Sequence, residues 1–211
     1  GDLGCFSFHP RKVVTTGEGG AVTTNDPKLA AAVRSLRNHG TTGLPSPDIE
    51  PHGPWTMGTF DRLGFNLRLS DIQAAVGVAQ MAKLETLVAD RRATARRYTK
   101  MLRGVNDLVL PVAGDVEGHT YQSYVIRLVE GGRKRRNGVM SAMALAEMQS
   151  RPGTHAAHRL GYYREKYGIA AEQFPNAALA EDTTITLPIV PFMRESDQLR
   201  VVDTVQRALK S

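Results

Sequence analysis

Cysteine is almost missing from this sequence: Cys5 is the one example in 211 residues. No disulfide can therefore form within the chain, and the paired Cys/His spacing of a zinc site is not there. No apolar run approaches the roughly 20 residues that a helix needs to cross a bilayer. The opening residues, Gly1-Asp2-Leu3-Gly4-Cys5, have neither the basic start nor the apolar core of a signal peptide. Internal repeats and low-complexity stretches are lacking too. Together these absences argue against a disulfide scaffold, a zinc module, a membrane protein and a solenoid, and the expected setting is the reducing cytoplasm.

What is present is an ordinary globular composition, 41% hydrophobic and 23% charged, enough for one large domain or two small ones. The formal charge is +6 and the isoelectric point about 9.7. The densest basic run, Arg133-Lys134-Arg135-Arg136, lies between Gly131-Gly132 and Asn137-Gly138 and reads as a solvated loop or the first turn of a helix. No aromatic-interleaved pattern accompanies it, so nucleic acid is not expected as a partner. A basic balance also attracts phosphorylated small molecules.

Along the chain, Cys5 to Phe8 and Ala21 to Thr24 read as extended runs on either side of a loop that carries Lys12 and the turn Gly17-Glu18-Gly19-Gly20. Asn25-Asp26-Pro27 starts a helix, whose apolar face of Leu29, Ala32, Val33 and Leu36 runs until Gly40. This is a βα unit. Residues 41–60 show no periodicity and read as one long loop. Ser70 with Gln73 has capping-box spacing, and Ile72, Ala75, Val76, Ala79, Leu84, Leu87 and Val88 continue an apolar stripe. Strands are expected at 108–110, 121–129 and 184–187, with helices over 137–148 and 158–167. In the final helix Leu199, Val202, Val205 and Leu209 share a face.

The chemistry concentrates in Ser7-Phe8-His9-Pro10-Arg11-Lys12 and the glycine turn behind it. A lysine held between a strand end and a glycine-rich turn can be presented rigidly in a cleft. Taken alone, a lysine is more often a solvated cation, and the spacing matches neither a Walker loop nor a Rossmann fingerprint.

The segment Gly4-Cys5-Phe6-Ser7-Phe8-His9-Pro10-Arg11-Lys12 with Gly17-Glu18-Gly19-Gly20-Ala21-Val22 resembles the lysine segment of the DegT/StrS family. These are pyridoxal-phosphate (PLP) enzymes of fold-type I, mostly aminotransferases acting on nucleotide-linked keto-sugars. Leu63-Gly64-Phe65-Asn66-Leu67-Arg68-Leu69-Ser70-Asp71-Ile72-Gln73 is similar to the start of that family's long helix. Pro152-Gly153-Thr154-His155, Leu160-Gly161-Tyr162-Tyr163 and Phe174-Pro175-Asn176-Ala177 follow in family order.

The resemblance implies an α/β fold, the C-terminal part of a fold-type I transferase. Residues 1–62 would be what remains of the PLP-binding large domain, 63–104 a long connecting helix and 105–211 a small α/β domain. The first strand would then belong to a larger parallel sheet. Lys12 matches the lysine that holds PLP as a Schiff base, Ser7 a hydroxyl on the cofactor phosphate, and Asn66 an amide that reaches the phosphate in the neighbouring subunit's site. A homodimer is implied. Arg68 and His155 are candidate substrate contacts, although an arginine beside a helix start is as often an ion-pair partner. His158 and His9 receive no role, and Glu18 reads as a turn residue. The implied substrates are a nucleotide-linked keto-sugar and glutamate or glutamine. A keto-inositol is the alternative acceptor, and a non-catalytic remnant the alternative from another class. No metal is expected. Lysine at position 12, where some members carry histidine and act as dehydratases, favours transamination. Glu147 stands where relatives often end a helix with glycine.

Overall fold

The computed structural model describes residues 1–45, 52–112 and 118–210. It separates into two compact units, Gly1–Leu84 and Glu85–Ser211. No helix among the described residues is long and apolar enough to cross a membrane.

In the first unit, β1 (Gly4–Ser7) pairs antiparallel with β2 (Gly20–Thr23), Cys5 facing Val22. The larger parallel sheet expected of β1 would be made with strands outside this chain, and the pairing to β2 leaves that expectation untested. The intervening loop carries no helix for a crossover and closes on itself, Thr16 N–H donating to the Phe8 carbonyl and Phe8 N–H to that of Gly19. A link closed on itself in this way returns the chain beside β1 as an antiparallel neighbour. Helix α1 (Pro27–Leu36) begins where the Asx-Pro pattern places it: the Asp26 carboxylate accepts from the Lys28 amide at 2.7 Å and the Leu29 amide at 3.3 Å. The stretch read as an unstructured loop holds a short ladder, β3 (Thr41–Gly43) with β4 (Thr59–Phe60), whose register shifts between Thr41 and Gly43. Residues 46–51 of that loop lie outside the described residues.

The single connecting helix over 63–104 is corrected to two. Residues 63–69 are extended, and α2 (Asp71–Met81) and α3 (Leu84–Leu102) are separated where Lys83 donates to Gln80, a tighter turn that interrupts the ladder. The capping box forms in full, the Gln73 amide donating to Ser70 Oγ and the Gln73 side chain accepting the Ser70 amide. The apolar stripe on α2 is exposed, however, with Ile72 80% and Val78 73% accessible. Val14 is the one buried apolar residue of this unit among the described residues.

The second unit has a real core. Its antiparallel sheet runs in the order β5 (Leu108–Val109), β6 (Tyr124–Leu128), β8 (Thr184–Leu187), β7 (Arg151–Pro152). Period-2 alternation on β6 buries Tyr124, Ile126 and Leu128. Packed with them are Tyr98 and Leu102 of α3, Val139 and Met143 of α4 (Gly132–Leu145), and Val201, Val202 and Val205 of α7 (Glu195–Lys210). Leu199, expected on that inner face, is 46% exposed. Its inner place is taken by Gln198, which is fully buried because it accepts from Arg97 Nε at 2.6 Å and donates to the Thr94 carbonyl at 3.0 Å. The chain also holds a 3₁₀ turn at Ala157–Arg159, α5 (Gly161–Tyr167) and α6 (Pro175–Thr183).

Helix α4 starts earlier than its apolar pattern, so the basic run forms its first turns. That run is not uniformly solvated. Arg136 is buried and donates to the Glu181 carbonyl and to Asn137 Oδ1. At the other end Glu147 has φ +59°, with the Met148 amide on the Met143 carbonyl and the Glu147 amide on that of Ala144. This is a Schellman ending with a side chain where glycine fits best. Left-handed strain, partly offset by the greater freedom of glycine when unfolded, makes Glu147→Gly stabilising by about 0.5–1 kcal/mol. A thermal melt checks this, and an unchanged or lower midpoint would contradict it.

Tyr98 and Tyr124 lie in contact, ring centroids 5.2 Å apart, their hydroxyls bonded to the Pro188 carbonyl and Thr99 Oγ1 respectively. Burial above all pushes both phenols upward, their mutual repulsion adding to it for Tyr98. The native phenols thus hold their protons where the unfolded chain has lost its own. Stability from this pair is complete below the ordinary tyrosine value and declines as pH rises above about 10. Denaturant midpoints measured between pH 8 and 11 are expected to be flat at first and then fall. Tyr98→Phe should blunt the fall.

Candidate active site

The lysine loop is built from backbone contacts. At its entry Ser7, the last residue of β1, accepts the His9 amide on Oγ at 3.3 Å, leaving its hydroxyl hydrogen to donate elsewhere. The Lys12 amide donates to the His9 carbonyl at 2.9 Å, the Arg11 amide donates to His9 Nδ1, and Thr15 Oγ1 donates to the Phe8 carbonyl at 2.8 Å. Thr16, buried, donates its hydroxyl to the Glu18 carbonyl at 2.7 Å. Lys12 stands exposed on this frame, and its ammonium has no hydrogen bond or ion pair among the described residues. His9 approaches Glu18 at 3.9 Å, both at the surface.

Helix α2 is tied to the same loop. Gln73, besides closing its own capping box, donates from Nε2 to the Glu18 carbonyl at 2.9 Å. Close packing continues there, since a Cβ on Gly19, whose φ is +142°, would lie 2.8 Å from Leu69 Cδ1. These ties were not foreseeable: Gln73 has ordinary capping-box spacing, and its partner is 55 residues away.

Asn66 and Arg68 sit in the extended segment before α2, bonded to each other through Arg68 Nε and Asn66 Oδ1 at 3.1 Å. The segment is laced to the end of α1, with the Phe65 amide on the Leu36 carbonyl, the His39 amide on the Phe65 carbonyl, and the Leu67 amide on the Arg37 carbonyl. Both side chains are exposed. A cavity of about 1030 Å³ in this unit is lined by Phe6, Val22, Leu36, Leu67 and Arg68 among others.

His155 belongs to the second unit, so it is described apart from the residues above. It is 75% exposed, with Nδ1 3.9 Å from Glu181 Oε1. Glu181 and Asp182 together grip Arg159 at 2.9 and 2.8 Å, and Arg133 meets Asp182 at 2.7 Å. The hydrogen bond from Arg159 is the main cause that holds the Asp182 carboxyl below its ordinary value. Sequence reasoning missed this network because its members come from three elements far apart in the chain. His158 is structural, buried against Phe174 with Nε2 3.2 Å from the Ala171 carbonyl. No group of three or more metal-ligating side chains occurs among the described residues.

An exposed lysine without a partner on the loop and a hydroxyl hydrogen free to donate at its entry form a donor set that would suit a phosphorylated aldehyde, the chemical class of PLP. Comparison with known proteins points the same way. The profile of the DegT/DnrJ/EryC1/StrS aminotransferase family matches residues 1–206. GDP-perosamine synthase of Caulobacter vibrioides is 31% identical over 99% of this chain and 53% of its own length. Spore coat polysaccharide biosynthesis protein SpsC of Bacillus subtilis is 30% identical over 100% of this chain and 54% of its own length. The crystal structure of S. venezuelae DesV superposes with a TM-score of 0.82 at 27% identity, over 100% of this chain and 53% of that one. The chain thus spans about half the length of each relative. With the lysine loop, the segment around Asn66 and the α/β unit all falling inside one continuous match, the chain belongs to the DegT/DnrJ/EryC1/StrS aminotransferase family.

Proposed function

We propose that the full-length protein is a cytoplasmic homodimeric aminotransferase that moves an amino group from glutamate or glutamine onto a nucleotide-linked keto-sugar, with Lys12 holding PLP. The observation that carries this reading is the unpaired ammonium of Lys12 on a loop fixed by its own backbone bonds and by Gln73. PLP, when bound, supplies the electron sink. The protein's share is positioning and proton transfer. Ser7 donates its free hydroxyl hydrogen to the cofactor phosphate. Lys12 would hold PLP and, as a free amine, would accept and return a proton beside it, a role open to a side chain that no carboxylate holds. Asn66 reaches the phosphate of the neighbouring subunit's site, which is supported by its exposure and by Phe65 and Leu67 beside it, 60% and 68% accessible. Arg68 offers a forked donor to a carboxylate or phosphate. His155 contributes to the sugar site, its loop steadied by the Glu181 and Arg159 pair. The names of GDP-perosamine synthase and SpsC support a nucleotide-linked sugar destined for polysaccharide. The free exposed thiol of Cys5 suits a reducing compartment.

The test is borohydride reduction of the full-length protein after PLP addition, followed by mass analysis of the peptide containing Lys12. Cofactor mass on Lys12 is expected. Reduction that labels another lysine, or none, would reject the reading. Turnover with nucleotide keto-sugars against a keto-inositol then tests the acceptor.

A further inference from the structure

Beside α1 and away from the lysine loop lies a concavity of about 630 Å³ that the proposed transamination does not use. Residues Lys28, Ala31, Ala32 and Ser35 follow helical spacing along one side of α1, and Asn38, Thr41, Thr42 and Arg62 complete the lining. The small side chains of Ala31 and Ala32 leave room between these walls. Four of the lining residues are cations, Lys28, Arg34, Arg37 and Arg62, none with an ion pair among the described residues; Arg34 and Arg37 also line the larger cavity beside Arg68. Two acids stand nearby and are both engaged: Asp61 accepts a hydrogen bond from Thr42, and Asp26 accepts the Lys28 and Leu29 amides. Ser35 supplies an independent sign. It lines the concavity at 6% exposure, and its hydroxyl oxygen is buried with no hydrogen-bond partner, whereas its carbonyl accepts the Asn38 and Gly40 amides. A buried hydroxyl without a partner is uncommon and calls for a ligand or water to complete it.

We propose that this concavity binds a phosphate-type anion, held by Lys28, Arg34, Arg37 and Arg62 and reached by the Ser35 hydroxyl on rotation about its one side-chain torsion. Guanidinium forks match phosphate oxygens in pairs, and four unpaired cations of one sign focus the field on the opening. The anion is either free phosphate or the diphosphate of a nucleotide, and the two share this chemistry.

Titration of the PLP-loaded full-length protein with inorganic phosphate, and separately with guanosine diphosphate, reads the site through the part of the binding that the variants below change. The double variant Lys28→Gln/Arg62→Gln, whose side chains line this concavity alone, is expected to bind the preferred anion at least about tenfold more weakly. Ser7→Ala is expected to leave that affinity unchanged. Ser35→Ala keeps the proposal testable should the double variant misfold: binding weakens several-fold while the melting temperature holds or rises, because an unpaired buried hydroxyl is removed. Guanosine diphosphate binding that the double variant weakens identifies the nucleotide as the source, and weakening of phosphate binding alone identifies free phosphate. Unchanged affinity in both the double variant and Ser35→Ala, or loss of binding in Ser7→Ala, overturns the proposal. Failure of PLP to label Lys12 would reject the transaminase reading and leave these titrations untouched.

Discussion

In the full-length protein, replacing Lys12 by alanine is expected to lower amino transfer by about 10²–10⁴-fold, the range that loss of a positioned acid–base group produces. It should also end borohydride trapping of PLP. The fold should not suffer. The turn at position 12 is held by the Lys12 amide on the His9 carbonyl, which alanine keeps, and the side chain is exposed without a partner among the described residues. Stability within about 0.5 kcal/mol of the parent is therefore expected, as for a surface site. Lys12→Arg sharpens the test. It retains the positive charge, but a guanidinium does not give up its proton near neutral pH and cannot serve as the nucleophile or base. Activity in Lys12→Arg should fall as far as in Lys12→Ala. Turnover that survives in the arginine variant would mean that charge alone matters at this position, and turnover that survives in both would remove Lys12 from the reaction.

The second large effect is structural. Gly64→Ala is expected to cost about 3 kcal/mol or more, at the upper end of what overpacking produces, because the contact it violates is with backbone. A Cβ at Gly64 would lie 2.0 Å from the Gly40 nitrogen and 2.4 Å from the His39 carbonyl carbon. Gly40 meets the segment from the other side, at φ +81°, and its own Cβ would come 1.8 Å from the Arg62 carbonyl oxygen. Two glycines thus let the segment before α2 lie against the end of α1. Neither partner can swing aside as a side chain would. Separation would break the three backbone bonds that lace Phe65 and Leu67 to Leu36, Arg37 and His39, and Asn66 and Arg68 would lose their place. Gly64→Ala should accordingly weaken PLP retention as well as lower the melting temperature. A variant that melts and binds as the parent does would contradict this role for Gly64.

Local chemistry was legible in the residues themselves. Asp26 before Pro27, and Ser70 with Gln73, produce caps wherever the chain places them, since each is satisfied within a few residues. Period-2 alternation on β6 and the apolar spacing along α7 likewise follow from which residues water rejects, although Leu199 on α7 shows that spacing alone leaves a face uncertain by one position. Glu147 could be marked as occupying a glycine's place before its left-handed φ was known. The lysine segment was recognisable by its resemblance, because a loop's residue order survives where its contacts cannot be read.

Tertiary structure decided the rest. That β2 returns antiparallel beside β1 depends on how the loop between them closes, through bonds from Phe8, Thr15 and Thr16 that no periodicity records. The apolar stripes of α2 and α7 both follow helical spacing in sequence, yet the first is exposed and the second buried, and only the presence of packed neighbours separates them. The grip of Glu181 and Asp182 on Arg159, the tie from Gln73 to Glu18 and the unpartnered Ser35 beside four cations all join residues whose sequence distance is free to vary. Capping and alternation are short-range and so are written in neighbouring residues. Ion pairs, close backbone contacts and concavities arise where distant segments meet, and folding alone determines which segments those are.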